Sequence, residues 1–519
     1  MEENLKENTK NKKIGNIYKA IKIFAFFSIL MLLIAGAGKV LQRKESVKKY
    51  QDFWELADQT DVLFFGSSHV LNAMNPLYLY EQYGITSYNM AKHGGILSES
   101  YWMLMNALDY CNPKCVVVDL WALDRDYQYV DVMTEEHSWG EVKYYLSFLH
   151  DNIDGWPLTK TKMAMFNDIL SKDEIKKEFM WDFTLYHDRW SDLKGSDFKM
   201  AAGEKVENSY LGASPLYTVN PDPYCYQEPN DGAVLSDDTV CVQYLYKLIE
   251  ECEKRDIEVI MTYLPVKLCY DEDWWAVNTG YKIAEEKDIL FLDLLDQTTQ
   301  SVIDYKLDMF DPGHANNSGM RKLTSYVGKY LCEVEGIMDH RQDSAYQQWG
   351  NLVSQWQTEE IQRLQTETDL YLELNMINDL NANAIIFMRG TSPVLQDKTV
   401  QQLISRMTGS TAIVDAANAG GPYLLIRDLT SGNMPIQEFA GEQQIESFMS
   451  IFGDTYYIGL KNFGAIYVDG DLENNYLNME EHYEREIQIL ILGQNGEIMS
   501  HLYYDPLWND MKMGKIKTE

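Results

Sequence analysis

Short apolar runs alternating with helical segments constrain this chain more than any other feature of its sequence. The runs are Asp61–Phe65 (DVLFF), Cys115–Trp121 (CVVVDLW), Glu258–Pro265 (EVIMTYLP) and Ile289–Leu295 (ILFLDLL), with Thr86–Ala91 (TSYNMA) a further candidate strand. Between them, Ser98–Tyr110 carries apolar residues at helical spacing, a charged helix surrounds Tyr246–Lys254, and a last helix is expected from about Ser318 to Glu333. Runs this short read as buried strands. Strands separated by helices pair in parallel, with helices on both faces of the sheet, and such sheets place their sites at the carboxyl ends of the strands. Residues 127–240 break the alternation and read as an insert of helices and loops between the third and fourth strands.

The texture then changes twice. Residues 343–374 are Gln/Glu-rich and read as a helical linker. From 375 to 510 come AIIFM, PYLLIRDL, TYYIGL, AIYVDG and EIQILIL, separated by Gly, Asn and Asp turns, which read as a separate β-rich domain. A length of 519 residues accommodates this division, and 45% hydrophobic with 13% aromatic residues is a globular composition.

Near the start, Ile23–Gly38 is apolar and uncharged. It is slightly short for a ~30 Å hydrocarbon core, but Lys22 and Lys39 can snorkel, so residues 20–41 can span as a single-pass anchor. A cleaved signal peptide, with Ala35-Gly36-Ala37 as the cleavage site, and a buried soluble helix are the alternatives. Lys6, Lys10, Lys12 and Lys13 favour residues 1–19 inside and the rest of the chain outside the cytoplasm. A net charge of −34 argues against nucleic acid as a partner. The seven cysteines (Cys111, Cys115, Cys225, Cys241, Cys252, Cys269 and Cys332) have no CxxC spacing, so no metal site is expected. The odd count leaves at least one thiol outside any intramolecular disulfide.

Two short motifs carry chemistry. Gly66-Ser67-Ser68-His69 follows the first strand directly. A serine at a strand-to-helix turn presents its hydroxyl at the sheet's carboxyl edge, although Gly-Ser-Ser is also ordinary turn chemistry. Asp311-Pro-Gly-His314 precedes the last helix. A spacing of three in a turn lets the carboxylate fix one imidazole tautomer while the other nitrogen faces a nucleophile; helix capping by Asp311 is the plainer alternative.

Together, in this order, the motifs resemble the SGNH (GDSL-like) hydrolase and acyltransferase superfamily over residues 61–332. The nearest look is to its membrane-bound extracytoplasmic branch, which includes the teichoic-acid D-alanine transfer protein and the alginate O-acetyltransferases. The resemblance implies a three-layer α/β fold over 56–338, with Ser68 as nucleophile, Asp311 as orienting acid and His314 as base. Tyr88-Asn89-Met90-Ala91 ahead of Gly94-Gly95 looks like the second block, so the N–H of Gly94 or Gly95 would join that of Ser68 in an oxyanion hole. The third block departs from the pattern: Asp119-Leu-Trp-Ala-Leu-Asp124-Arg125-Asp126 contains no Asn. Asn89, Asp124, His187 and Arg189 are further candidates for substrate contact. His93 reads as a satisfied loop histidine, and Glu480, Glu481, His482 and Glu484 as a solvated face. The C-terminal domain resembles the interleukin-like EMT-inducer domain through Phe463-Gly464-Ala465-Ile466-Tyr467, Glu486–Leu492 and Tyr503-Tyr504-Asp505.

The expected function is serine acyl transfer, O-acetylation or a similar esterification, onto a cell-envelope or secreted glycan such as a teichoic-acid-like acceptor. A multi-pass membrane acyltransferase is the expected partner, and no cofactor is implied. A surface carbohydrate esterase with the same triad and an inactive glycan-binding scaffold are the alternatives.

Overall fold

A computed structural model describes residues 2–515, except 181–184, 206–207, 223–231, 268–269, 296–301, 431–435, 442–444, 452–453, 461–465, 468–485, 494–497 and 505–512; side chains are not described for 2–14, 445–451, 454–460, 466–467 and 513–515. Cys225, Cys269, Phe463, Gly464, Ala465, Glu480, Glu481, His482, Glu484 and Asp505 lie outside the described residues, as do the side chains of Lys6, Lys10, Lys12 and Lys13.

The five candidate segments form strands β1 (Val62–Phe65), β2 (Ser87–Asn89), β3 (Cys115–Asp119), β4 (Glu258–Tyr263) and β5 (Leu290–Asp293). They make one parallel sheet in the order β2-β1-β3-β4-β5. Alternate residues enter separate cores: Leu63, Phe65, Val116 and Val118 on one face, Val62, Phe64, Cys115 and Val117 on the other. That two-sided burial is why these runs are continuously apolar. After β2 the chain crosses back over β1 to lay down β3, so strand order reverses at β1, and a crevice forms there.

Helix Gln347–Thr366 corrects the linker expectation. Trp349 and Trp356 are fully buried in the core of the parallel-sheet unit, and Glu360 binds Arg321 of the last helix, Asn317–Leu331. The helix therefore belongs to this unit. The expected β-rich domain is mixed. Strands β6 (Asn383–Met388), β7 (Tyr423–Arg427), β8 (Ile436–Ala440), β12 (Ile487–Leu492), β13 (Ile498–Tyr504) and β14 (Met513–Lys515) form an antiparallel sheet ordered β14-β13-β12-β6-β7-β8. Strands β9 (Ile445–Ile451), β10 (Asp454–Leu460) and β11 (Ile466–Tyr467) form a second, three-stranded sheet. Helices Leu370–Asp379, Lys398–Thr408 and Ala412–Ala419 join the core of the first of these sheets, with Val400, Leu403, Ile404 and Met407 as the apolar stripe of the middle one.

The N-terminal helix runs from Glu2 to Leu41, and its part from Gly15 to Leu41, 27 residues, is long and apolar enough to cross a membrane. None of the apolar window is covered by the rest of the chain, which removes the buried-helix alternative. Its last turn is docked: Gly38 and Leu41 are buried, and the Arg189 guanidinium donates to the Leu41 carbonyl at 2.6 Å. The five described cysteines are unpaired thiols, buried except for Cys332.

Candidate active site

Gly66 ends β1 at φ 151°, and a Cβ there would lie 2.6 Å from Val70 Cγ2, so only glycine fits the turn. The Ser67 hydroxyl accepts from the His69 N–H at 3.3 Å and caps the short helix Ser68–Ala73. Ser68 is its first residue, at the carboxyl edge of the sheet and at the point where strand order reverses.

The second motif is the tip of a tight hairpin. The Phe310 N–H donates to the His314 carbonyl, Met309 bridges Ala315, and the Asn316 N–H donates to the Asp308 carbonyl. Asp311 Oδ1 accepts from the N–H groups of Gly313 (2.8 Å) and His314 (2.9 Å). Both Asp311 carboxylate oxygens lie 2.8 Å from His314 Nδ1, and His314 Nε2 lies 2.8 Å from Ser68 Oγ. The local turn orients the carboxylate, the carboxylate orients the imidazole, and the imidazole reaches the hydroxyl. Such a relay can take a proton from Ser68 and return it to a leaving group.

The two glycines of the second block differ. The Gly95 N–H is used, donating to the Lys92 carbonyl at 3.2 Å, while no acceptor takes the Gly94 N–H among the described residues. Gly94, at φ 62°, lies against Phe148 and Tyr145. Gly95 packs against the nucleophile turn: a Cβ there would sit 2.5 Å from the Gly66 carbonyl oxygen. A buried ion pair between Lys92 and Glu99, 2.8 Å apart, closes the loop that carries both glycines. Gly95→Ala should push the two turns apart, lowering the rate of Ser68 modification by an active-site-directed fluorophosphonate about 100-fold, with about 1–3 kcal/mol lost in chemical denaturation. Unchanged labelling would show that the glycine turn does not set the geometry of Ser68.

Two further side chains pack around the Ser68 turn, and sequence reasoning gave them no role. His69 is buried, its ring edge-on to His314 (centroids 5.4 Å apart) and against Trp121 (4.7 Å). Burial, and then the neighbouring His314, lower its pKa to about 3, against a smaller opposing pull from Asp311. It is neutral near pH 7 and adds no charge against an imidazolium on His314. Its place next to the nucleophile was the one available signal. Asp119 lies behind the turn, accepting from the N–H groups of Leu264 (3.0 Å) and Trp121 (3.3 Å) and from the Thr262 hydroxyl (3.2 Å); burial outweighs these donors and raises its pKa to about 7.

The other candidates separate. Asp124 lines a cleft of about 450 Å³ beside the triad, with His69, Trp121, Arg125, Pro312 and Gly313, and burial raises its pKa against the pull of Arg125. Asp126 instead accepts from the Val240 N–H, at the start of helix Val240–Glu253. Asn89 is corrected to a strut. It is fully buried, its amide donating to the Val70 and Met74 carbonyls at 2.9 Å and accepting from the Ala91 N–H. Arg189 is also a strut, holding Leu41 and lying 3.7 Å from Asp197, while His187 beside it is exposed. His93, expected as a satisfied loop histidine, is exposed with its ring 6.0 Å from Phe148, and lines a second cleft of about 360 Å³. Among the described residues no group of His, Cys, Asp and Glu is arranged to hold a metal ion.

No protein-family model matches the chain, and no curated protein matches it either.

Proposed function

We propose that the chain is a membrane-anchored, extracytoplasmic serine acyltransferase of SGNH type, O-acylating a cell-envelope or secreted glycan. The observation that carries this reading is the continuous relay Asp311–His314–Ser68, with 2.8 Å at each link. Ser68 Oγ attacks the acyl carbonyl as His314 Nε2 takes its proton, and Asp311 stabilises the resulting imidazolium. The N–H groups of Ser68 and Gly94 receive the oxyanion. Collapse forms the seryl ester, and the leaving group departs with the proton from His314. An acceptor hydroxyl then gives its proton to His314, attacks the ester and regenerates Ser68.

Two clefts close to the triad residues support transfer over hydrolysis. One is walled by Pro312 and Gly313 of the histidine hairpin, the other by Leu71 of the nucleophile helix and His93 beside Gly94. A hydrolase needs room for one substrate and water, whereas a transferase must seat a donor and an acceptor. The same triad in an esterase would remove the acyl group, and in a scaffold it would be idle.

The reading also fixes topology. Protease added outside intact cells should release the region after Leu41, leaving the spanning helix protected. Protection of the whole chain would place the triad in the cytoplasm and remove the cell-surface substrate. A mature protein beginning just after Ala37 would replace the anchor with a signal peptide.

A further inference from the structure

The second cleft lies between the triad and the end of the N-terminal helix. Glu45, Lys48 and Lys49, on the helix Glu45–Lys49 just past Leu41, form one wall. Leu71, Lys92 and His93 come from the catalytic side, and Tyr217 and Arg363 close the rim. Two of its cations lack a carboxylate partner among the described residues. The Lys49 ammonium donates to the Ala91 carbonyl and to Asn152 Oδ1 at 3.2 Å, both neutral oxygens. Arg363 stacks over the Tyr217 ring with its guanidinium 3.8 Å from the centroid, leaving its N–H fork for another group. Of the two lining carboxylates, Asp151 is engaged by Arg43 at 3.3 Å, and Glu45 is exposed. Burial, with Lys92 adding to it against Glu99, lowers the pKa of Lys49 to about 7, so an anion entering the cleft would strengthen its charge. His93 is within electrostatic reach of both Lys49 and His314, which ties the cleft to the reacting centre.

We propose that this cleft seats the phosphate of a membrane lipid, holding that lipid as a substrate beside Ser68. The inference rests on the acyltransferase reading. Two cations with no carboxylate in hydrogen-bond contact, one of them a planar fork, match a phosphate. A single lipid phosphate is favoured over an anionic polymer for two reasons. The cleft adjoins the segment that follows the apolar helix, where headgroups lie. A chain of net charge −34 repels an extended polyanion at long range, whereas one phosphate beside two cations is a local contact.

The test is calorimetric titration of the full-length chain in neutral detergent with dihexanoylphosphatidic acid, dihexanoylglycerol, inorganic phosphate and poly(glycerol phosphate). Saturable binding of dihexanoylphosphatidic acid is expected, with none for dihexanoylglycerol. Arg363→Gln and Lys49→Gln should each weaken it roughly tenfold or more, and Lys49→Arg should restore most of the loss. Absent binding, or binding indifferent to both substitutions, would overturn the site. Tighter binding of poly(glycerol phosphate), or equal binding of inorganic phosphate, would overturn the lipid as its source. Fluorophosphonate labelling of Ser68 on the same samples separates the two ideas. Labelling without lipid binding sinks only the cleft, and lipid binding without labelling keeps the phosphate site but removes both the acyltransferase and the lipid's role as its substrate.

Discussion

Ser68→Ala is expected to lower glycan acylation by roughly six orders of magnitude, the loss seen when the nucleophile leaves a working triad. The fold should be unaffected, because the hydroxyl's hydrogen bond is to His314 and the side chain sits at the mouth of a turn. The measurement is the ester content of purified envelope glycan at matched protein levels, with an adduct mapped to Ser68 in the wild type. An esterase gives the opposite sign, with ester content rising in the mutant. Unchanged ester content and no adduct would leave only the scaffold, an outcome that the missing third-block Asn makes worth testing.

The largest expected effect on stability is at Asp308, six residues before the histidine. Its carboxylate is fully buried and binds Lys322 at 2.5 Å and Arg406 at 2.6 Å, the latter from the mixed C-terminal domain. Asp308→Asn leaves the partly exposed Lys322 and Arg406 without their carboxylate and should cost about 2–3 kcal/mol in chemical denaturation. Replacing all three together, as Asp308→Leu, Lys322→Met and Arg406→Met, should recover most of it, because the desolvated charges leave as a set. Burial alone would raise the Asp308 pKa, but Lys322 and Arg406 outweigh it and hold the pKa below the ordinary carboxylate value. A depressed folded pKa gives stability that is full above the unfolded value of about 4 and lost as pH falls through the folded one. The gap between wild type and Asp308→Asn should therefore persist at neutral pH and close in strong acid. A constant gap across that range would show that the ion pairs are not its origin. Ser68 labelling should fall along with stability, because Asp308 anchors the base of the hairpin that carries Asp311 and His314.

What could be read in the sequence was local. The five strands lie inside the segments that predicted them, and β1 and β3 were the plainest because a strand buried on both faces is written as uninterrupted apolar residues. Both motifs were legible because a Gly-Ser-Ser turn and an Asp-x-x-His turn each set their geometry within a few residues. What stayed hidden depended on contacts between distant segments. Asn89 had the composition of a substrate ligand, and only the proximity of the Val70 and Met74 carbonyls makes it a strut. Helix Gln347–Thr366 looked like a linker because its Gln and Glu content masks a stripe of Trp349, Val353, Trp356 and Leu364. The lysine-lined cleft draws on residues near 45–49, 92–93, 208–217 and 363, with no signature in any one stretch.

That helix also bears on how the protein is made. Trp349 reaches Gln59 across 290 positions, His340 reaches Asp61 across 279, and His314 reaches Ser68 across 246. Contacts so distant along the chain make folding slow and late. Synthesis proceeds from the amino end, so the serine emerges long before its base and longer still before the two tryptophans that complete the core. A chain halted anywhere before Asp311 carries the nucleophile without the means to activate it. Under the acyltransferase reading, the order of assembly leaves unfinished copies without a complete triad.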